Sequence, residues 1–203
     1  MNCRGHRTRV EIVEKYDVTP LAHLRVLEGM EIQSDAGGDI TDSYFLFRCV
    51  HKQTSEEELI CCGEPTARDF STLVGTELPR LFNPLQGDGD NGPGAGNGGG
   101  EPRWNRERKQ LYNAVMLFVL WRQNKPHKVL FSIAKALEQN VDMGPSLSTI
   151  KSVNTLYVKY RTTARDMLNE LSARNRMRNF EFDLLIRRLQ NNGIEQHFEN
   201  ERI

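Results

Sequence analysis

The sequence predicts an α+β protein overall: a small N-terminal sheet with one packed helix, then an all-α helical C-terminal domain. Three observations carry that expectation. Strand-like runs before residue 85 give way to helical spacing after residue 103. Eight of the sixteen glycines fall between Gly87 and Gly100. Across that stretch the charge reverses. Glu11 to Glu101 holds 17 acidic and 6 basic residues, a net of −11, and Arg103 to Arg188 holds 17 basic and 7 acidic, a net of +10. The formal net charge of zero is therefore a cancellation between halves. The expected organisation is a small α+β domain over 9–85, a Gly-rich flexible linker over 86–102 and a basic all-α domain over 103–198.

In the first half, Arg9 to Tyr16 reads as strand-like through Val10, Ile12 and Val13. Leu24 to Ile32 reads the same way, with Gly29 marking a bulge or tight turn. Ser34 to Asp39 has loop composition. Tyr44 to His51 and Glu58 to Cys62, separated by Gln53 to Glu57, read as a hairpin. Gly63-Glu64-Pro65 then opens a helix with Ala67, Phe70, Leu73 and Val74 on one face, and Gly75 closes it. Pro79 and Pro84 keep Leu78 to Leu85 extended or irregular.

The glycine stretch has nothing to bury, so its composition is that of a linker. Asp88, Asp90 and Asn91 could suggest a calcium loop, but no further carboxylate follows Gly92 before Glu101.

The second half reads as four or five helices. Arg106 to Gln123 is apolar almost all the way round, the pattern of a central buried helix. Val129 to Asn140 follows with Leu130, Ile133, Ala134 and Leu137 at helical spacing. Ser146 is placed to cap the next element. There Ile150, Val153, Tyr157, Tyr160, Ala164, Met167 and Leu171 form a 3-4 seam. Unbroken from Ser146 to Arg176, that helix would be about 46 Å long, with Thr162-Thr163 its weakest point. A last helix is expected over Phe180 to Gln190, capped by Gly193.

Candidate chemistry is sparse. Four cysteines are too few for a disulfide scaffold, and Cys61 and Cys62 point to opposite faces of a strand. Cys49, His51 and Cys62 are weak metal candidates. If Gln53 pairs Glu58, Cys49 faces Cys62, but a fourth ligand is missing and the expected role is packing. The histidines at 6, 23, 51, 127 and 197 sit in no recognisable motif. No phosphate loop, H-E-x-x-H, G-x-S-x-G or paired C-x-x-C signature occurs, so no cofactor is expected and an enzyme of unrecognised class is the remote alternative.

The function expected from these features is that of a non-enzymatic cytoplasmic binding or regulatory protein. Its basic half would bind DNA or RNA through Arg106, Arg108, Lys109, Lys151, Lys159, Arg165, Arg174, Arg176 and Arg178, with the acidic half tuning that surface. A faint helix-turn-helix echo pairs Ile133–Leu137 with Ser146–Ile150, although the connection between them is longer than such motifs use. The alternative is an adaptor that binds an unknown protein partner or itself, with no nucleic-acid contact. No apolar run is long enough to cross a membrane and no secretory signal is visible, so no membrane partner is expected.

Overall fold

A computed structural model describes residues 1–86, 104–123 and 128–199. The glycine segment of the expected linker, from residue 87, lies outside the described residues. The architecture is α+β: a small N-terminal sheet followed by a mostly helical C-terminal half. The chain divides into two compact units, Met1–Asn83 and Pro84–Ile203.

The first unit runs α1 (His6–Lys15), β1 (Tyr16–Arg25), β2 (Ile32–Gln33), β3 (Asp39–Ile40), β4 (Ser43–His51), β5 (Glu57–Cys62), α2 (Glu64–Val74) and β6 (Leu81–Phe82). The main sheet has the order β5-β4-β1-β6. β1 pairs β4 antiparallel and β6 in parallel, and β4 pairs β5 antiparallel. β2 and β3 form a separate two-stranded ribbon.

Two expectations at the start of this unit are corrected. Arg9 to Tyr16 is not strand-like; most of it belongs to α1, although three β-branched residues argue for a strand. Long-range contacts override their propensity. Ile12 is buried, and the Lys52 ammonium donates to the Val13 and Glu14 carbonyls at 2.9 and 3.1 Å, closing the helix end. The first strand is instead Tyr16–Arg25, which contains Pro20. The register shifts between Pro20 and Ala22, so the residue without an N–H sits at a bulge. Leu24 to Ile32 is correspondingly not one strand: its first two residues end β1 and its last opens β2. β1 stops at Arg25, Met30 N–H donates to the Leu27 carbonyl, and Gly29 takes φ +87° in the turn.

The β4–β5 hairpin forms, in a different register from the expected one. Val50 faces Glu57, Cys49 faces Glu58 and Phe45 faces Cys62. The strands are joined through a turn in which Ser55 has φ +58°. One face of the sheet carries Val18, Phe45, Phe47, Cys49, Ile60 and Cys62, which pack with Cys3, Ile12 of α1, and Ala67 and Phe70 of α2. On the other face Ala22, Leu24, Tyr44, Leu46 and Cys61 are also buried. Burial on both faces explains why β4 reads as a continuous apolar run. α2 starts and ends as expected, with Pro65 in its first turn and Gly75 at φ +65° as its C-cap.

The second unit holds, among the described residues, five helices: α3 (Arg106–Arg122), α4 (Lys128–Glu138), α5 (Leu147–Tyr160), α6 (Ala164–Ser172) and α7 (Asp183–Gln190). α3 is the central helix. Leu111 through Leu120 are all buried, and α4, α6 and α7 pack around it. Asn105 caps it by accepting from the Arg108 N–H at 3.1 Å. Phe118 stacks on Tyr157 at 5.7 Å, and the Tyr157 hydroxyl donates to the Ala114 carbonyl at 2.9 Å. Phe198 closes on Tyr157 from the C-terminal segment. Asn154 holds that segment by donating to the Glu195 carbonyl and accepting from the His197 N–H, both at 2.8 Å.

Of the four- and five-helix alternatives the structure has five, because the seam breaks at Thr162-Thr163 into α5 and α6. Arg161 leaves α5 in the left-handed region at φ +50°. Thr163 then starts α6 with a capping box, its hydroxyl bonding the Asp166 N–H while the Asp166 carboxylate accepts from the Thr163 N–H. The lengths become about 21 Å and 14 Å. Most of the seam is still buried, at Ile150, Val153, Tyr157, Ala164 and Met167. The helix-turn-helix echo is also corrected, because α5 packs chiefly on α7 instead of α4.

Candidate functional site

The nine basic candidates fall into two groups. Arg108 is corrected out of any binding surface, since it is only 9% exposed. Its Nη1 donates to the Ala136, Leu137 and Gln139 carbonyls at 3.0, 3.2 and 2.8 Å, and its Nε donates to Met143. It thereby closes the C-terminal end of α4, where unpaired carbonyls draw a cation. Arg165 pairs with Glu199 at 2.7 Å. Arg178 is half-buried, with its guanidinium 4.8 Å above the Phe180 ring and its backbone N–H donating to the Pro84 carbonyl. Lys109 is half-buried on the first turn of α3.

Arg106, Lys151, Lys159, Arg174 and Arg176 are exposed, and among the described residues none has an ion-pair partner. Arg161, absent from the sequence-based set, joins them at the end of α5. Counting along the seam hides this residue, because a continuous helix would carry it past the turn where it emerges. On α5 itself Ser148, Lys151, Ser152, Thr155, Val158 and Lys159 make one exposed stripe at helical spacing.

Beside that stripe lies a cluster that composition cannot reveal. The Arg122 guanidinium, on the last turn of α3, sits 4.9 Å from the Tyr160 ring centroid and 6.0 Å from that of Trp121. Both rings pack on Phe118, at 5.1 and 5.7 Å, and both keep partial exposure. The Trp121 indole N–H donates to the Glu170 carboxylate at 2.6 Å. Lys159 and Arg161 flank Tyr160 in sequence.

In the first unit, the weak metal candidates are separated by their hydrogen bonds and register. Cys49 and Cys62 share a face of the sheet, but Cys62 lies opposite Phe45, four positions along β4 from Cys49. His51 accepts the Gln53 and Thr54 N–H groups at its Nδ1, at 3.3 and 3.2 Å, and so organises the hairpin turn. Among the described residues no group of three or more His, Cys, Asp or Glu could hold a metal ion. Burial pushes the Cys3 thiol up to about 11 and those of Cys49 and Cys61 to about 12, with Cys62 raised as well. Neutral thiols are poor nucleophiles and poor ligands.

Two histidine pairings were not legible in the sequence. His23 Nε2 lies 2.9 Å from Ser43 Oγ, and its ring stacks on Phe45 at 3.8 Å. Burial lowers its pKa despite a hydrogen bond to the Pro79 carbonyl. A carbonyl only accepts, so the neutral ring donates there and accepts a hydrogen bond from the Ser43 hydroxyl at Nε2. This ties β1, β4 and the segment before β6 together. His6 bonds both Asp69 oxygens at 2.9 Å, and Arg9 bonds the same carboxylate. Burial alone would raise the Asp69 carboxyl, but the bonds from His6 and Arg9 outweigh it and hold it low. That carboxylate fastens α1 to α2.

A family model described as "Uncharacterised conserved protein UCP028583" matches residues 1–198, a span that includes nearly all of both compact units. No curated protein matches the chain. No solved structure matches it either.

Proposed function

The chain belongs to the UCP028583 family, and on that premise we propose that it is a non-enzymatic binding protein whose helical unit holds nucleic-acid phosphates. The observation that carries the reading is that the helical unit exposes cations without ion-pair partners among the described residues, including Arg106, Lys151, Lys159, Arg161, Arg174 and Arg176. Cations left in water are available to replace condensed counterions, whereas Arg108, buried under α4, is not. The serine and threonine hydroxyls interleaved with the lysines on α5 suit phosphate and sugar contacts, which position a protein without reading sequence.

The test is a salt series on the full chain with a random-sequence oligonucleotide. Apparent affinity is expected to fall linearly on a log–log plot. Replacing Lys151 and Lys159 together with alanine is expected to weaken binding to all sequences alike and to reduce the slope by about two. An absence of binding at low salt would overturn the reading and leave a protein partner as the alternative.

A further inference from the structure

We infer that the Arg122–Tyr160 stack is a platform for an unpaired base, so that the helical unit takes single-stranded nucleic acid in preference to duplex. This rests on the phosphate-binding reading above and adds the feature that selects the strand form.

A duplex offers its phosphates at the surface and keeps its base faces stacked inside. A protein selective for single strands therefore needs a flat, partly apolar surface beside its cations. The second unit has one. Tyr160 ends α5 and Trp121 lies near the end of α3, so both rings stand where helical packing stops and partial exposure begins. Phe118 supports both from beneath. The Arg122 guanidinium is held over Tyr160 at 4.9 Å, and a planar guanidinium is itself a surface on which bases stack. Lys159 and Arg161 adjoin Tyr160 in sequence and are exposed, and they supply cations at this end of α5 for the phosphates of a strand bound there.

The local charge supports the choice of ligand. Arg122, Lys159 and Arg161 bring three full positive charges. The Glu170 carboxylate, which accepts from the Trp121 indole, and the C-terminal ends of α3 and α5 offset part of that charge, so base stacking adds to the affinity beside the phosphate contacts. A strand lacking bases would lose that part.

The experiment compares three probes of equal length on the full chain at fixed salt: a single-stranded oligothymidylate, the same sugar–phosphate strand without bases, and a duplex. Stacking is worth about 1–3 kcal/mol per base, so the strand with bases is expected to bind at least fivefold more tightly than the abasic one. It is also expected to bind more tightly than the duplex. Arg122→Lys keeps the charge and removes the plane, and should bring the ratio of strand to abasic affinity close to one. Unchanged circular dichroism and thermal unfolding of Arg122→Lys guard against reading a general loss of structure as a loss of stacking. Equal, salt-dependent binding of all three probes would overturn the platform while sustaining phosphate binding. A wild-type ratio that survives Arg122→Lys would overturn the assignment to this stack. No binding of any probe at low salt would overturn both readings.

Discussion

Arg108 shows how far a residue's type can mislead about its role. In the sequence it sits in a basic cluster with Arg106 and Lys109. In the fold its guanidinium spans about thirty residues of sequence to reach the carbonyls at the end of α4. Replacing it with alanine would leave several carbonyls unpaired, at a cost of about 2–4 kcal/mol. Urea denaturation of Arg108→Ala should show that loss, and Arg108→Lys should recover only part of it, because an ammonium cannot reproduce the planar fork. An Arg108→Ala protein as stable as wild type would disprove the capping role. His23 makes a second residue-scale prediction. Its folded pKa lies below its ordinary value of 6.5. The stability it contributes is then fully present above about pH 6.5 and is lost as pH falls through the folded pKa, because the unfolded chain binds the proton first. Stability curves of wild type and His23→Asn measured between pH 7.5 and 5 should converge toward the acid end. Parallel curves would refute the assignment. Neither residue was legible in the sequence, since both roles depend on partners brought together by the fold. The cysteines were legible as packing residues, because Phe47, Val50, Leu59 and Ile60 surround them in sequence and the packed face retains Phe47 and Ile60.

Among the elements, legibility followed local chemistry. α2 could be read from Gly63, Pro65 and Gly75, and α3 from its unbroken apolar run. Both depend on signals within one helix. α1 could not be read, because Val10, Ile12 and Val13 argue for a strand and only Lys52, Asp69 and the sheet surface make the segment helical. The hairpin was recognised but its register was not, since the turn is set by His51 accepting backbone N–H groups that composition does not report. The break between α5 and α6 was visible as a weak point at Thr162-Thr163. The reason it is a true break is the capping box formed by Thr163 and Asp166. Thr163→Ala should therefore cost about 1 kcal/mol. Thermal or urea unfolding would measure it, and Thr163→Ser should retain most of the stability. If alanine were tolerated without loss, the cap would not be what ends the seam.

For the whole molecule, the compact units change the meaning of the charge reversal. The split of −11 and +10 came from windows that excluded Arg4, Arg7 and Arg9 and the acidic C-terminal tail. Drawn at the boundary between Asn83 and Pro84, the first unit has 14 acidic and 9 basic residues and the second 13 acidic and 18 basic, giving −5 and +5. The asymmetry survives at about half its size. Exposed charges act over a Debye length of about 8 Å at physiological salt, so the local arrangement of cations matters more than either total. Each unit also builds its own apolar cluster. Phe45, Phe47, Ile60 and Phe70 gather in the first, and Leu111 to Leu120 with Tyr157 and Phe198 in the second. If those clusters suffice, a protease should cut within residues 87–103, where glycine dominates the sequence. Both fragments should then keep their secondary structure by circular dichroism and unfold cooperatively. Fragments that lose structure on separation would mean that the two units depend on each other to fold. Two independent transitions would instead make the helical fragment a self-sufficient binding module, whose salt dependence with oligonucleotides should match that of the full chain.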